Sequence, residues 1–242
     1  MIIMAQASFV QNTTVGGVSG VYYISADVRD VSVKSIGGNL ANSSYSGVNG
    51  TFFNNANELL GIAVGPNGVA VKNGGERTPK RFKRGTLFCY NAEAQASQIT
   101  CSEHVVTEVT EYPGQRSWIN WAIGGLSLHV RRNLGKEAYY AKVNAEESPS
   151  GIGSFGSGVK RARTFIGYKP SNQRVIMGYI RSAEAYEVRG VLIALGCTEG
   201  VMLDSGSSSQ IKGKTSASNT PINVGATVGV YNMVAATPSS WA

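Results

Sequence analysis

Charge is scarce in this chain: 15% of its 242 residues are Asp, Glu, Lys or Arg, against ~25% in an ordinary globular domain. A coiled coil and a charge-rich disordered chain are thereby excluded. Long apolar runs are missing as well, and without a stretch of ~18 apolar residues there is no transmembrane helix. The start, MIIMAQASFVQ, has a short apolar stretch with no Lys or Arg before it. A secretory signal needs a basic start and ~7–15 apolar residues, so the expectation is a cytoplasmic or virion-associated protein, or a trimmed secreted one. Cysteine is limited to Cys89, Cys101 and Cys197, with no CxxC spacing. These read more readily as idle thiols than as a Cys89–Cys101 disulfide. Histidine is limited to His104 and His129, in separate segments. That gives little support to a Ser-His-Asp triad or a His-based zinc site, and neither a metal nor another cofactor is expected. Without a signal segment, the sequons at Asn12, Asn42 and Asn49 read as chance.

What is abundant is glycine, 30 residues, and positive charge, with 22 Lys+Arg against 15 Asp+Glu for a formal +7. The glycines have no triplet period, which excludes collagen. The charge favours an anionic partner of unspecified kind. Strand patterns dominate. Residues 21–28 (VYYISADV) are β-branched and aromatic, and residues 31–34 alternate. Residues 35–46 read as a polar loop. Short apolar runs at 60–64 and 69–72 flank Gly65-Pro66-Asn67-Gly68 and predict a hairpin. Residues 85–90, 105–109 and 118–123 predict further strands, and 143–160 a long Gly/Ser loop of the kind that is more often functional than idle. One helix is expected, with Val188, Val191, Leu192 and Leu195 on one face, Ser182 as N-cap, Glu184 in the first turn and Gly196 past its end. It leads to a short buried strand at 201–203, broken by Asp204-Ser205-Gly206-Ser207-Ser208. The expected fold class is α+β: a single mostly-β domain over residues 1–242 with few helices.

Several motif matches fail on context. GIGSFG at 151–156 follows a polar loop rather than a strand, so the dinucleotide reading does not hold. Gly213-Lys214-Thr215 is similar to a P-loop end, but Ser208 stands where its first Gly is required. Ser157 and Lys160 form S-x-x-K without its partner motifs.

Three segments each place a polar residue where a strand meets a Gly turn: residues 47–54 (GVNGTFFN), 160–168 (KRARTFIGY) and 200–210 (GVMLDSGSSSQ). Asn49 sits among glycines, where backbone can approach a ligand closely. Arg163 leads into the apolar Thr164-Phe165-Ile166. Asp204 ends a buried strand, where a carboxylate needs a partner. Singly, each also reads as plain structure: a turn former, a surface strand cation, an Asx-turn cap. Together, in a basic protein, they point to a small anionic ligand.

These segments resemble the phosphodiester glycosidase family. Asn49-Gly50-Thr51-Phe52-Phe53 is similar to its N-G-G-F-F segment, with Thr51 for the second Gly. Ala122-Ile123-Gly124-Gly125 is similar to its A-I-G-G, and Arg163-Thr164-Phe165-Ile166-Gly167 fits its R-T-x-I-G. Glu187-Val188 and Leu203-Asp204-Ser205-Gly206-Ser207-Ser208 are similar to its helical E-[LV] pair and its L-D-G-G-G-S, with Ser205 and Ser207 for two glycines. The order is kept over residues 20–211. The resemblance implies a hydrolase, similar to an α-N-acetylglucosaminidase, that cleaves between a sugar C1 and a phosphate oxygen. It implies Asp204 as nucleophile, base or oxocarbenium stabiliser, Arg163 as phosphate clamp, and Glu187 as second carboxylate or orienter of Arg163. Asn49, Gly50, Thr51, Gly125, Thr164, Ser205, Gly206, Ser207 and Ser208 would then line the substrate. Lys80, Arg81, Lys83, Arg84, Lys160 and Arg161 would steer the anion. On this reading, Asp204→Asn and Arg163→Ala abolish turnover while folding survives. The substitutions at Thr51, Ser205 and Ser207 support an alternative, in which the same fold binds a phosphorylated sugar or nucleotide without cleaving it. Nucleic-acid binding, suggested by residues 80–84 (KRFKR), is the minor reading because aromatics are sparse there.

Overall fold

The computed structural model describes residues 6–79, 82–92, 98–147, 155–215 and 218–237. The strands are β1 (Ser8–Val15), β2 (Val18–Asp27), β3 (Val31–Gly38), β4 (Ser46–Asn49), β5 (Ala63–Val64), β6 (Arg84–Asn91), β7 (Ile99–Val106), β8 (Ile119–Gly124), β9 (Leu126–Ser127), β10 (Arg161–Lys169), β11 (Arg174–Ala183), β12 (Glu199–Met202), β13 (Gln210–Thr215), β14 (Ser218–Gly225) and β15 (Val230–Ala236). The helices are α1 (Lys136–Glu147) and α2 (Ala185–Ala194). Three sheets result, in the orders β1-β2-β11-β10-β12-β9, β14-β13-β4-β15-β3 and β5-β8-β6-β7. The fold is α+β and mostly β, as the strand patterning predicts.

β10 shows why the first sheet sits in the middle. Successive side chains of a strand point to opposite faces. Phe165 enters a core shared with α1 and α2, and Ile166 enters one shared with the other two sheets. Both are fully buried. The helix side is fitted closely. Gly167 and Gly200 pair across β10 and β12, and a Cβ on either would lie 2.6 or 2.4 Å from a Leu192 methyl. These two glycines therefore seat α2 on the sheet. Burying Val188, Val191 and Leu192 stabilises that contact by roughly 1.5–3 kcal/mol per side chain.

The helix boundaries correct the sequence expectation. Glu184, not Ser182, is the N-cap of α2, and it forms a reciprocal capping box with Glu187. Of the loop expected at 143–160, residues 143–147 instead end α1, and 148–154 lie outside the described residues. The loop expected at 35–46 is shorter, since β3 runs to Gly38 and β4 starts at Ser46. The 60–72 hairpin survives as a tight return, with Gly65 donating to the Val69 carbonyl and Val71 to that of Ala63. Only Ala63 and Val64 form a strand there, paired to β8. The strand expected at 105–109 belongs to β7, which ends at Val106. His129 lies past β9 with φ 45°, in the left-handed region rather than in a strand. Cys89 and Cys101 face each other across β6 and β7 as buried free thiols. No described helix is long and apolar enough to cross a membrane.

Candidate active site

Asp204 stands where the chain leaves one sheet for another. β12 pairs with β10 through Phe165↔Met202, and the Leu203 amide continues the ladder to the Thr164 carbonyl at 2.8 Å. The next amide, of Asp204, turns instead to the Gly50 carbonyl, just past β4, at 3.1 Å. A short 3-10 turn, Gly206–Ser208, follows, and β13 begins at Gln210. Gly206 has φ +71°, which favours glycine at that turn.

Asn49 holds this turn at both ends. Its Nδ2 donates to the Asp204 carbonyl at 2.9 Å, and its Oδ1 accepts from the Gln210 amide at 2.9 Å. The same Oδ1 accepts from the Thr164 hydroxyl at 2.8 Å. These bonds are mutually consistent and assign the amide orientation. Asn49 and Thr164 are fully buried, so they are the structural frame of the turn. Segment 49–51 is itself held by Asn232 of β15. Gly50 donates to its carbonyl at 2.9 Å, and Thr51 donates to its side-chain oxygen at 2.8 Å.

The Asp204 side chain is partly exposed. Its Oδ1 accepts the Ser205 amide at 2.9 Å. Burial raises its pKa to about 6, against the lowering influence of hydrogen bonds from Ser208 and Ser205. The carboxylate is thus ionised at neutral pH but poised near it. Ser205 turns its hydroxyl back to the Leu203 carbonyl at 2.9 Å, Ser207 is exposed and Ser208 is buried.

The β10–β12 ladder ends with the Leu203 amide on the Thr164 carbonyl. Arg161, at the start of β10, lies against the Ser/Gly turn, where a Cβ on Gly206 would be 3.4 Å from its Nη1. Arg163 is buried, donating from Nε to the Ala183 carbonyl at 3.0 Å and from Nη2 to that of Val159 at 2.9 Å. Burial first, then the charge of Arg161, lowers its pKa to about 10. Tyr140, Tyr139 and Glu184 act in the opposite direction.

Glu187 is engaged elsewhere. One oxygen accepts the Glu184 amide and the other the Lys160 ammonium, each at 2.8 Å. The carboxylate whose charge supports Arg163 is Glu184, which also receives Lys136 Nζ at 2.7 Å and the Tyr140 hydroxyl at 3.3 Å. Gly125 is packed rather than open, since the space of its missing Cβ is taken by the Met202 carbonyl at 2.2 Å. Thr51 is buried and faces Gly61 in the same close manner. Lys80 and Arg81 lie outside the described residues. Arg84 is buried and donates to the Glu147 carbonyl, so its expected role in steering becomes one of packing. Among the described residues, no group of three or more His, Cys, Asp or Glu is arranged to hold a metal ion.

Of the residues that sequence reasoning singles out, Asn49 joins Thr164 to the backbone of Asp204 at one turn, while Arg163 bonds the Ala183 and Val159 carbonyls. Sequence reasoning misses Tyr140 and Asn232. It uses Glu184 only as a first-turn acid, although its spacing to Glu187 is the capping-box signal.

A family model described as phosphodiester glycosidase matches residues 42–236. No curated protein matches the sequence significantly. Among solved structures, the catalytic domain of zebrafish N-acetylglucosamine-1-phosphodiester α-N-acetylglucosaminidase, auto-inhibited by its pro-peptide, is similar with TM-score 0.56 and 14% identity, covering 96% of this chain and 82% of that one. A putative exported protein from Burkholderia pseudomallei is similar with TM-score 0.57 and 12% identity, covering 90% and 74%. At these identities the two structures speak for the fold.

Proposed function

Since the chain belongs to the phosphodiester glycosidase family, we propose that it hydrolyses the bond between a sugar C1 and a phosphate oxygen. The observation that carries this reading is Asp204: a carboxylate with a pKa near 6, on a turn clamped by Asn49 and met by the Arg161 guanidinium at Gly206. In the reaction the C1–O bond breaks, the phosphate leaves with the electron pair, and water supplies the new oxygen at C1. A phosphodiester anion is a weak base and departs without a strong general acid. The site must therefore stabilise positive charge at C1 and negative charge on the phosphate. Asp204 serves the first need, as nucleophile, base or electrostatic stabiliser. Arg163 serves the second, since a guanidinium binds two phosphate oxygens in one plane. Gly206, Ser207 and Ser208 add backbone N–H groups of the kind that cradle anions, while the Ser205 amide holds the Asp204 carboxylate. Asn49 and Thr164 fix the turn rather than touch the ligand.

The engagement of Glu187 by Glu184 and Lys160 favours a second reading, in which the ligand is held without cleavage. One experiment separates the two. A panel of sugar-1-phosphodiesters and nucleotide sugars is incubated with the protein and analysed by mass spectrometry. Released sugar with wild type, and none with Asp204→Asn, supports hydrolysis. Intact ligand recovered from a tight complex supports sequestration and removes the first reading.

A further inference from the structure

Two guanidinium groups stand at the start of β10. Arg161 lies against Gly206, two residues past Asp204, with Nη1 3.4 Å and Cδ 3.8 Å from where a Cβ would be, and its charge reaches Arg163. Arg161 and Arg163 are separated by one residue of β10, across an irregularity in its pairing with β11, and Arg161 is the cation that meets the Ser/Gly turn. Gly206 leaves room for the arginine to lie along that turn.

We propose that Arg161 is a specificity-determining residue of this site, selecting a ligand whose sugar C1 carries two linked phosphates over one that carries a single phosphodiester. The inference rests on the reading of the turn as phosphate-binding. Arg163 takes the phosphate next to C1, and Arg161 takes the following one. The electrostatics agree, since the charge of Arg161 bears on Arg163 and disfavours its protonated form. A pyrophosphate between them offsets that repulsion with negative charge on both sides, which a single diester anion does less well.

The test is steady-state kinetics on two substrates with the same sugar, a nucleoside-diphosphate sugar and a sugar-1-phosphodiester. Wild type, Arg161→Ala, Arg161→Lys and Arg161→Gln are compared, the last keeping side-chain bulk and polarity. Loss of one charged phosphate contact predicts that Arg161→Ala and Arg161→Gln raise KM for the pyrophosphate substrate about tenfold. Expected alongside are a clearly smaller rise in the diester KM than in the pyrophosphate KM, and partial rescue by Arg161→Lys. An equal effect on both substrates, or none on either, overturns the proposal. If wild type cleaves neither substrate, the hydrolytic reading fails, but this inference is still decided by calorimetry with inorganic pyrophosphate and orthophosphate. A wild-type preference for pyrophosphate that Arg161→Ala abolishes supports it. Equal affinity of wild type for the two ions overturns it.

Discussion

Asp204 shows how one residue is shaped by burial against local hydrogen bonding. Burial raises its pKa to about 6, above the lowering pull of Ser208 and Ser205. Two outcomes follow with definite signs. If the ionised form acts in the reaction, kcat/KM falls as pH drops below about 6, which a pH–rate profile reads directly. For stability the sign is opposite: a carboxyl whose folded pKa is raised costs stability as pH rises above its ordinary value. Asp204→Asn is therefore expected to melt higher than wild type at pH 8, by up to about 3 kcal/mol of stability, and to match it near pH 4. A variant that melts lower at pH 8 argues against this assignment. Arg163 differs. Its guanidinium holds the Ala183 and Val159 carbonyls, so Arg163→Ala is expected to lower stability by about 2–4 kcal/mol. Loss of activity in that variant then reports folding as well as chemistry, contrary to the expectation drawn from sequence, and Arg163→Lys at matched stability is the more informative comparison.

At the scale of elements, the site is a junction between two sheets closed by one side chain. Asn49 at the end of β4 bonds Asp204, Gln210 and Thr164 together. Asn49→Ala leaves the buried Gln210 amide without its acceptor, at roughly 1–3 kcal/mol for that group alone. The turn is also freed, so a large loss of kcat/KM is expected even where circular dichroism still shows a folded protein. Retained activity in a folded Asn49→Ala protein would show that the clamp is dispensable. Much of this junction is legible in the sequence, because the apolar runs of β10 and β12 end abruptly in Gly and Ser around single polar residues. α1 is less legible. Its buried residues are Tyr139, Tyr140, Val143 and Glu147, and a buried glutamate beside a Ser/Gly stretch looks like solvated loop. Asn232 is hidden for the converse reason: one amide within Val-Tyr-Asn-Met-Val reads as an interruption, and only the tertiary structure brings it to Gly50 and Thr51. The helix start is hard to read because Ser182 is the commoner cap type, whereas Glu184 caps through its pairing with Glu187.

At the scale of the molecule, burial of acids away from Asp204 makes the stability depend on pH. Glu147, at the end of α1, accepts the Gly85 amide at 2.6 Å and the Ser127 amide at 3.0 Å, and so ties the helix to β6 and β9. Burial raises it to about 8, and raises Glu103, which is bonded to the Ser127 hydroxyl, to about 7. Glu199, facing the same region, is also raised by burial. Between about pH 4.5 and 8 the folded chain holds protons that the unfolded chain has released, so stability falls as pH rises through that window. His129, lowered by burial to about 4, works oppositely between about pH 4 and 6.5, and Asp27, lowered mainly by Arg29, adds loss at still lower pH. The acids outnumber the histidine, so melting temperature is expected to fall steadily from pH 6.5 to 8. Glu103→Gln removes one of the titrating groups without changing side-chain length, and its melting temperature should decline less steeply over the same range. An identical slope in wild type and variant would mean that Glu103 is ionised in the folded protein, paired with a protonated His129 rather than held neutral beside it.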